Sequence, residues 1–257
     1  MIKAIFFDID GTLTSFRTHQ IPDEVFAALY QLKTNGIRLF IATGRGKDGL
    51  SVLKGFPFDG YITLNGQLCF TAEDEIILEN FLQKEDLKII LQECSRDPFA
   101  CAFTMPHKKV FNFRNSQVEE IHAITHNDDH PAGDLRNILS EKVYQVMAFI
   151  DENREMQLMA KLKGCTSARW HPYFTDISPL GGTKVRGIDS FLSFYGIDLN
   201  ETMSFGDGGN DFAMLKHTAV SVAMGDSADI LKEAADYVTA SVDHSGILQA
   251  LQYYHLL

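Results

Sequence analysis

Residues Lys3 to Ile9 form a short β-branched and aromatic run with little polarity, which stops at Asp10-Gly11-Thr12. A strand without polar alternation has to be buried on both faces, and a parallel sheet covered by helices on both sides provides that. Pro22 then opens a helix with Val25, Leu29 and Leu32 at helical spacing, closed by Asn35-Gly36, after which Ile37 to Ala42 reads as a second buried strand. The segment is a βαβ unit. It makes the chain α/β from its first forty or so residues.

Tyr61 to Leu64 reads as a third strand ending at Asn65-Gly66, and a hairpin continues through Cys69-Phe70 and Ile76 to Leu78. Near the other end, Thr202 to Phe205, Ala219 to Ala223 and Tyr237 to Thr239 repeat the buried-strand pattern with helices between. The middle differs. Gln83 to Cys94 is helix-spaced, Phe99 to Met105 and Val110 to Phe113 read as paired strands, and Val118 to Ile124 as a helix. Val143 to Ile150 reads as a strand, Met156 to Leu162 as a helix, and Ser167 to His171 with Phe174 to Ile177 as a hairpin around Pro172. Strands arriving as hairpins predict an antiparallel α+β unit. The expected organisation is one α/β domain built from residues 1–81 and 183–257, with 82–182 inserted.

Composition narrows the function. The 257 residues are 45% hydrophobic and 22% charged, which is ordinary for a globular protein with a substantial core. With 23 basic against 34 acidic side chains the net charge is −11, and no Lys/Arg block occurs, so a nucleic-acid partner is not expected. No apolar run approaches the roughly 20 residues that span a bilayer, and Asp8 arrives too early for a signal peptide, so the expectation is a soluble cytoplasmic protein without a membrane partner. Cys69, Cys94, Cys101 and Cys165 form no C-x-x-C pair and read as reduced, buried thiols.

Four clusters carry chemistry. Asp8 and Asp10 stand where the first strand ends, the place where open parallel sheets bind ligands. Such a pair suits a hard cation or a division into nucleophile and acid/base, although Asp10 beside Gly11 also fits a helix cap and turn. Thr43-Gly44-Arg45 ends the second strand with a hydroxyl and outward N–H groups, which suit phosphate. Gly181-Gly182-Thr183-Lys184 sets a lysine at the onset of a helix, able to screen phosphoryl charge. Gly206-Asp207-Gly208-Gly209-Asn210-Asp211 follows a buried strand, and a Mg²⁺ ion shared with Asp8 would justify its acids.

These clusters, in this order, resemble the haloacid dehalogenase-like phosphatases, and the placement of the insertion between Thr43 and Lys184 resembles their Cof-type branch, subclass IIB, with a C2B cap. The resemblance covers essentially the whole chain. It implies a Rossmann-like core, an aspartyl-phosphate on Asp8, and Asp10 as general acid and then base. It further implies phosphoryl binding by Thr43 and Lys184, and Mg²⁺ held by Asp8, the backbone carbonyl of Asp10, and Asp207. Asn210 and Asp211 match neighbouring polar positions that hold substrate, the lysine or metal-bound water. Gly44, Arg45 and Asn65 stand at the expected mouth. An ion-pumping relative would carry threonine at position 10, so the aspartate there favours hydrolysis.

The resulting expectation is a Mg²⁺-dependent phosphatase of small phosphorylated metabolites, sugar phosphates foremost, acting as a monomer or weak homo-oligomer. A phosphohexomutase of the same cap class and a catalytically silent binding protein remain alternatives. Within the insertion, Trp170, His171, Phe174 and Asp176 read either as sugar-binding residues, since the resemblance sets a cap over the site, or as cap core. His122, His126 and His130, with Asp128 and Asp129, have the spacing of a weak transition-metal motif that Pro131 interrupts.

Overall fold

The structure is a computed structural model that describes residues 1–125 and 131–257. In chain order the elements are β1 (Ala4–Phe7), α1 (Asp23–Thr34), β2 (Arg38–Ala42), β3 (Gly60–Thr63), β4 (Leu68–Thr71) and β5 (Ile76–Glu79). There follow α2 (Lys84–Arg96), β6 (Cys101–Met105), β7 (Lys108–Phe111), α3 (Ser116–Thr125), β8 (Gln145–Ala148), α4 (Glu152–Met159), β9 (Cys165–His171) and β10 (Phe174–Pro179). The last are α5 (Lys184–Tyr195), β11 (Thr202–Gly206), α6 (Phe212–His217), β12 (Val220–Ala223), α7 (Asp229–Ala234), β13 (Tyr237–Val238) and α8 (Gly246–Tyr253).

Contacts divide the chain into two compact units. One comprises Met1–Gly46, Leu50–Glu79 and Thr183–Leu257; the other comprises Lys47–Gly49 and Asn80–Gly182.

The first unit is an α/β layer structure on a sheet ordered β13-β12-β11-β1-β2-β3-β4-β5. Pairing is parallel from β13 through β3, and only β4 and β5 close it as antiparallel strands. All four residues of β1 are buried, as its unalternating composition requires. Their side chains split between two cores. Ile5 and Phe7 pack with Val25 and Leu29 of α1 and Ile247 and Leu251 of α8, whereas Ala4 and Phe6 pack with Ile188 and Phe191 of α5 and Met214 of α6. Phe6 stacks on Phe40 and Phe7 on Phe205, at centroid separations of 4.8 and 5.0 Å. Each fully buried ring contributes roughly 1.5–3 kcal/mol, so β1 is pinned from both neighbouring strands.

The chain leaves β1 toward β2 on one side and returns as β11 on the other. That reversal opens a crevice beyond the carboxyl ends of the three strands. Asp8, Thr43 and Asp207 are the residues that immediately follow β1, β2 and β11.

The second unit is an antiparallel sheet, β7-β6-β8-β10-β9. Leu87 and Ile90 of α2 and Leu158 of α4 pack with Phe103, Val146 and Ile177, and Val118 and Ile121 of α3 pack with Ala102, Phe111 and Phe174. Several boundaries differ from the periodicity by a few residues, β6, β7 and β9 among them, and two show why. Helix α4 begins before Met156 because the Asp151 carboxylate caps it, accepting the Arg154 N–H at 2.8 Å. Strand β8 is shorter than the apolar run 143–150, since ladder pairing reaches only from Gln145 to Ala148. Among the described residues no helix is long and apolar enough to cross a membrane.

Candidate active site

Asp8 is held at the end of β1 by its own N–H, which donates to the Phe205 carbonyl at 3.0 Å and continues the β1–β11 ladder by one residue. Its side chain is almost fully buried, where a lone carboxylate would be untenable. Lys184 answers that charge, its Nζ donating to Asp8 Oδ1 at 2.6 Å and to Asp211 Oδ1 at 2.5 Å. The lysine side chain is only 1% exposed. Burial works to lower its pKa, but the Asp211 and Asp8 carboxylates outweigh that and hold it above the ordinary lysine value.

Two local devices set Lys184 there. The Thr183 hydroxyl caps α5 by accepting the Arg186 N–H at 3.1 Å, which fixes Lys184 as the first helical residue. Against that cap lies the turn after β3, where Leu64, Asn65 and Gly66 all have positive φ, at 51°, 53° and 93°. A Cβ on Gly66 would stand 2.1 Å from the Thr183 carbonyl oxygen, so only glycine admits this approach.

Asp211 is wholly buried and spends both oxygens inside the site. Oδ2 accepts the N–H groups of Asp207 and Gly208 at 3.1 and 3.0 Å, and Oδ1 accepts Lys184. Asp211 therefore shapes the Asp207 loop and positions the lysine. Of the roles open to it from the sequence, the contact present is the one to Lys184.

Asp8, Asp207 and Asp211 each present an oxygen within 4.8 Å of the others. Three carboxylates face one ammonium. Burial, first, and the Asp211 charge, second, push Asp8 well above the usual carboxylate range, with Lys184 opposing. Burial likewise pushes Asp207 up to about 7, although the Thr12 hydroxyl donates to its Oδ1 at 2.8 Å. The side-chain hydrogen bonds of Asp8 and Asp207 fall on their Oδ1 atoms. An all-oxygen set with surplus negative charge fits a hard divalent cation, with Asp8 and Asp207 better placed to ligate than the fully engaged Asp211. Gly11 belongs to the same fit. Its φ is +83°, and a Cβ there would stand 2.2 Å from Asp207 Oδ2.

The side chain of Asp10 turns to Arg45, whose Nε and Nη2 donate to its two oxygens at 2.8 and 2.7 Å in a bidentate pair. Arg45, expected from the sequence at the mouth as a phosphate- or substrate-binding residue, has its guanidinium on the second aspartate. Thr43 is buried, and its hydroxyl accepts the Arg45 N–H at 3.1 Å. Asn210 donates from its side-chain amide to that of Asn65 at 3.0 Å, and Gly44 lies against both amides. The expected site residues of the first unit thus occupy one crevice rim. Sequence reading passed over Thr12 as a ligand holder and Thr183 as the lysine's cap. A Ser or Thr just before an apolar helical pattern is the signal that finds the second.

In the second unit, Trp170 is 60% exposed and donates its indole N–H to Asp176 Oδ2 at 3.1 Å. Its ring meets Phe174 edge-on, and His171 stacks on the same phenyl ring. Burial pushes Asp176 up to about 6, against the pull of the indole N–H. His122 lies in α3, while His126, Asp128, Asp129 and His130 fall outside the described residues. Among the described residues the Asp8 cluster is the one grouping of this kind.

The sequence profile of the haloacid dehalogenase-like hydrolases matches residues 5–251. The chain belongs to that family. Its Cof-type membership and phosphoric monoester hydrolase activity follow from relatives that span it end to end. YkrA of Bacillus subtilis (strain 168), named as a phosphatase, is 30% identical, with 99% of this chain and 98% of that protein aligned. Among solved structures, the haloacid dehalogenase subclass IIB sugar phosphatase BT4131 is 39% identical with a TM-score of 0.86, covering 99% of this chain and 100% of that one. The phosphatase-superfamily protein BT1666 from Bacteroides thetaiotaomicron is 33% identical with a TM-score of 0.90, covering 100% of this chain and 96% of that one.

Proposed function

We propose that the chain is a Mg²⁺-dependent phosphatase of small-molecule phosphomonoesters, sugar phosphates foremost, working through an aspartyl-phosphate on Asp8. The carrying observation is the buried Asp8 carboxylate at the end of the central strand, paired with Lys184 at 2.6 Å, with Asp10 two residues on in the grip of Arg45. The sugar-phosphate preference is supported by the 39% identity to a sugar phosphatase. Residues 82–182 serve as the cap, and the setting is the soluble metabolite pool of the cytoplasm.

Asp8 attacks phosphorus from the fixed end of β1, while the Lys184 ammonium draws charge from the phosphoryl oxygens and Thr43 donates to one of them. Asp10 protonates the leaving alcohol and then takes a proton from the water that opens the acyl phosphate. Asp8, Asp207 and the Asp10 backbone carbonyl would hold the Mg²⁺ ion, which when bound supplies neutralising charge to the transferring group. Asp211 and Thr12 keep Lys184 and Asp207 in place for both steps. The test is a phosphate-release screen of wild type and Asp8→Asn across phosphorylated metabolites, with Mg²⁺ and with EDTA. Metal-dependent release by wild type alone is the expected result. Release that survives in Asp8→Asn, or isomerised sugar phosphate without free phosphate, would overturn the mechanism.

A further inference from the structure

The sequence assigns no chemistry to the four cysteines, yet the fold brings two of them together. Cys94 lies in the last turn of α2 and Cys101 opens β6, and their sulfur atoms stand 3.6 Å apart. Both residues belong to the second unit, whereas Asp8, Asp10, Lys184 and Asp207 belong to the first. A disulfide bond needs about 2.05 Å between sulfurs, so side-chain rotation has to close only about 1.5 Å. The two thiols differ in access. Cys94 is partly exposed, whereas Cys101 is fully buried, its N–H donating to the Asn112 side chain at 2.8 Å. Neither pattern nor proximity repeats elsewhere among the cysteines, because Cys69 and Cys165 are buried singly and burial pushes both thiols up to about 12.

We propose that Cys94 and Cys101 are an oxidation site, the two thiols being converted by a hydroperoxide into one intrachain disulfide. The partly exposed Cys94 sulfur attacks the peroxide, breaking the O–O bond. It becomes a sulfenic acid, and the other peroxide oxygen leaves as water or alcohol. Cys101 then attacks the Cys94 sulfur, the S–S bond forms, the S–OH bond breaks, and the hydroxyl departs as water with the Cys101 proton. Two thiols are oxidised by two electrons and one peroxide is reduced. Arg154 supports the second step. Its guanidinium stacks over the Phe99 ring at 4.3 Å and pairs with Asp97 at 3.0 Å, both on the connection between the two cysteines, and its charge favours the Cys101 thiolate that burial opposes.

Because trypsin cuts after Lys88, Arg96 and Lys108, the two cysteines fall in separate peptides, 89–96 and 97–108. The full chain is reduced, desalted, exposed to a small excess of hydrogen peroxide, unfolded, alkylated and digested without reductant. The expected result is a linked 89–96/97–108 pair, loss of two of the four alkylatable thiols, and their return with dithiothreitol. In Cys94→Ser, a change at a partly exposed position, all three remaining thiols should stay alkylatable under the same exposure. Three outcomes would each overturn the proposal: Cys94 carried to sulfinic acid while Cys101 is still alkylated, a link from Cys94 to any other cysteine, or four free thiols after peroxide.

Discussion

Replacing Asp207 by asparagine separates two demands on the acidic cluster, holding a cation and folding without one. Burial pushes the Asp207 carboxyl from 3.8 to about 7. A carboxyl held about three pH units high costs the folded state about 4 kcal/mol once it is ionised in both states. The residue is partly accessible, so solvent screening brings the measurable part nearer about 2 kcal/mol. The direction follows from proton counting. Between about pH 4 and 7 the folded protein keeps a proton that the unfolded chain has released, so metal-free stability falls as pH rises through that window. Asparagine has no such proton and can still accept the Thr12 hydroxyl. Urea unfolding in EDTA should therefore show Asp207→Asn about equal to wild type near pH 4 and about 2 kcal/mol more stable near pH 8. Saturating Mg²⁺ should reverse the order near pH 8 by stabilising wild type alone. A variant that is less stable than wild type in EDTA, or whose advantage does not change with pH, would refute the reasoning.

Lys184→Met keeps the volume but leaves Asp8 and Asp211 facing each other unpaired. It should cost about 3–5 kcal/mol at neutral pH, with a penalty that shrinks on acidification, and about 10²–10³ in kcat; wild-type stability near pH 8 would contradict the pairing. Gly11→Ala forces a Cβ against the Asp207 carboxylate at a left-handed position, so Mg²⁺ affinity and kcat/KM should fall together, the latter by about 100-fold. Arg45→Lys replaces the planar fork on Asp10 by a point charge; kcat should drop by about tenfold with KM little changed, whereas a raised KM at intact kcat would return Arg45 to the substrate's phosphate.

Strand and helix identity was legible because each element's burial is written in its period. The unbroken apolar run at β1 and the hairpin spacing of β6 with β7 could only fit a two-faced parallel sheet and an antiparallel one. Element ends were less legible. Asp151 starts α4 through a side-chain hydrogen bond that hydrophobic periodicity does not encode. At the site, motif spacing gathered Asp8, Thr43 and Asp207, since residues that follow adjacent strand ends must converge, and Lys184 was legible as a lysine at a helix onset. Pair choice was not encoded. Whether Arg45 meets substrate or Asp10, and whether Asp211 holds substrate, metal-bound water or Lys184, depends on side-chain reach across 35 and 27 positions of chain. The Cys94–Cys101 proximity was hidden for the same reason, because it arises where a helix end returns to a strand start.

The Arg45–Asp10 pair also bears on how one carboxyl serves two steps. A bidentate guanidinium contact is made by the carboxylate form, the form that accepts a proton from water. The first step of the proposed mechanism would need the opposite form, a carboxylic acid that donates to the leaving alcohol. Arg45 is 29% exposed and Asp10 36%, unlike Lys184 and Asp8, which are locked in the interior at 1% and 8%. The two ion pairs therefore suit different tasks. In the proposed mechanism the buried one would fix Asp8 as nucleophile, whose position must not change between steps. The exposed one can exchange, letting Asp10 part from Arg45 to carry its proton to the alcohol and re-form the pair as that proton is spent. An acid/base buried as deeply as Asp8 could not alternate in this way without breaking a desolvated pair in every turnover.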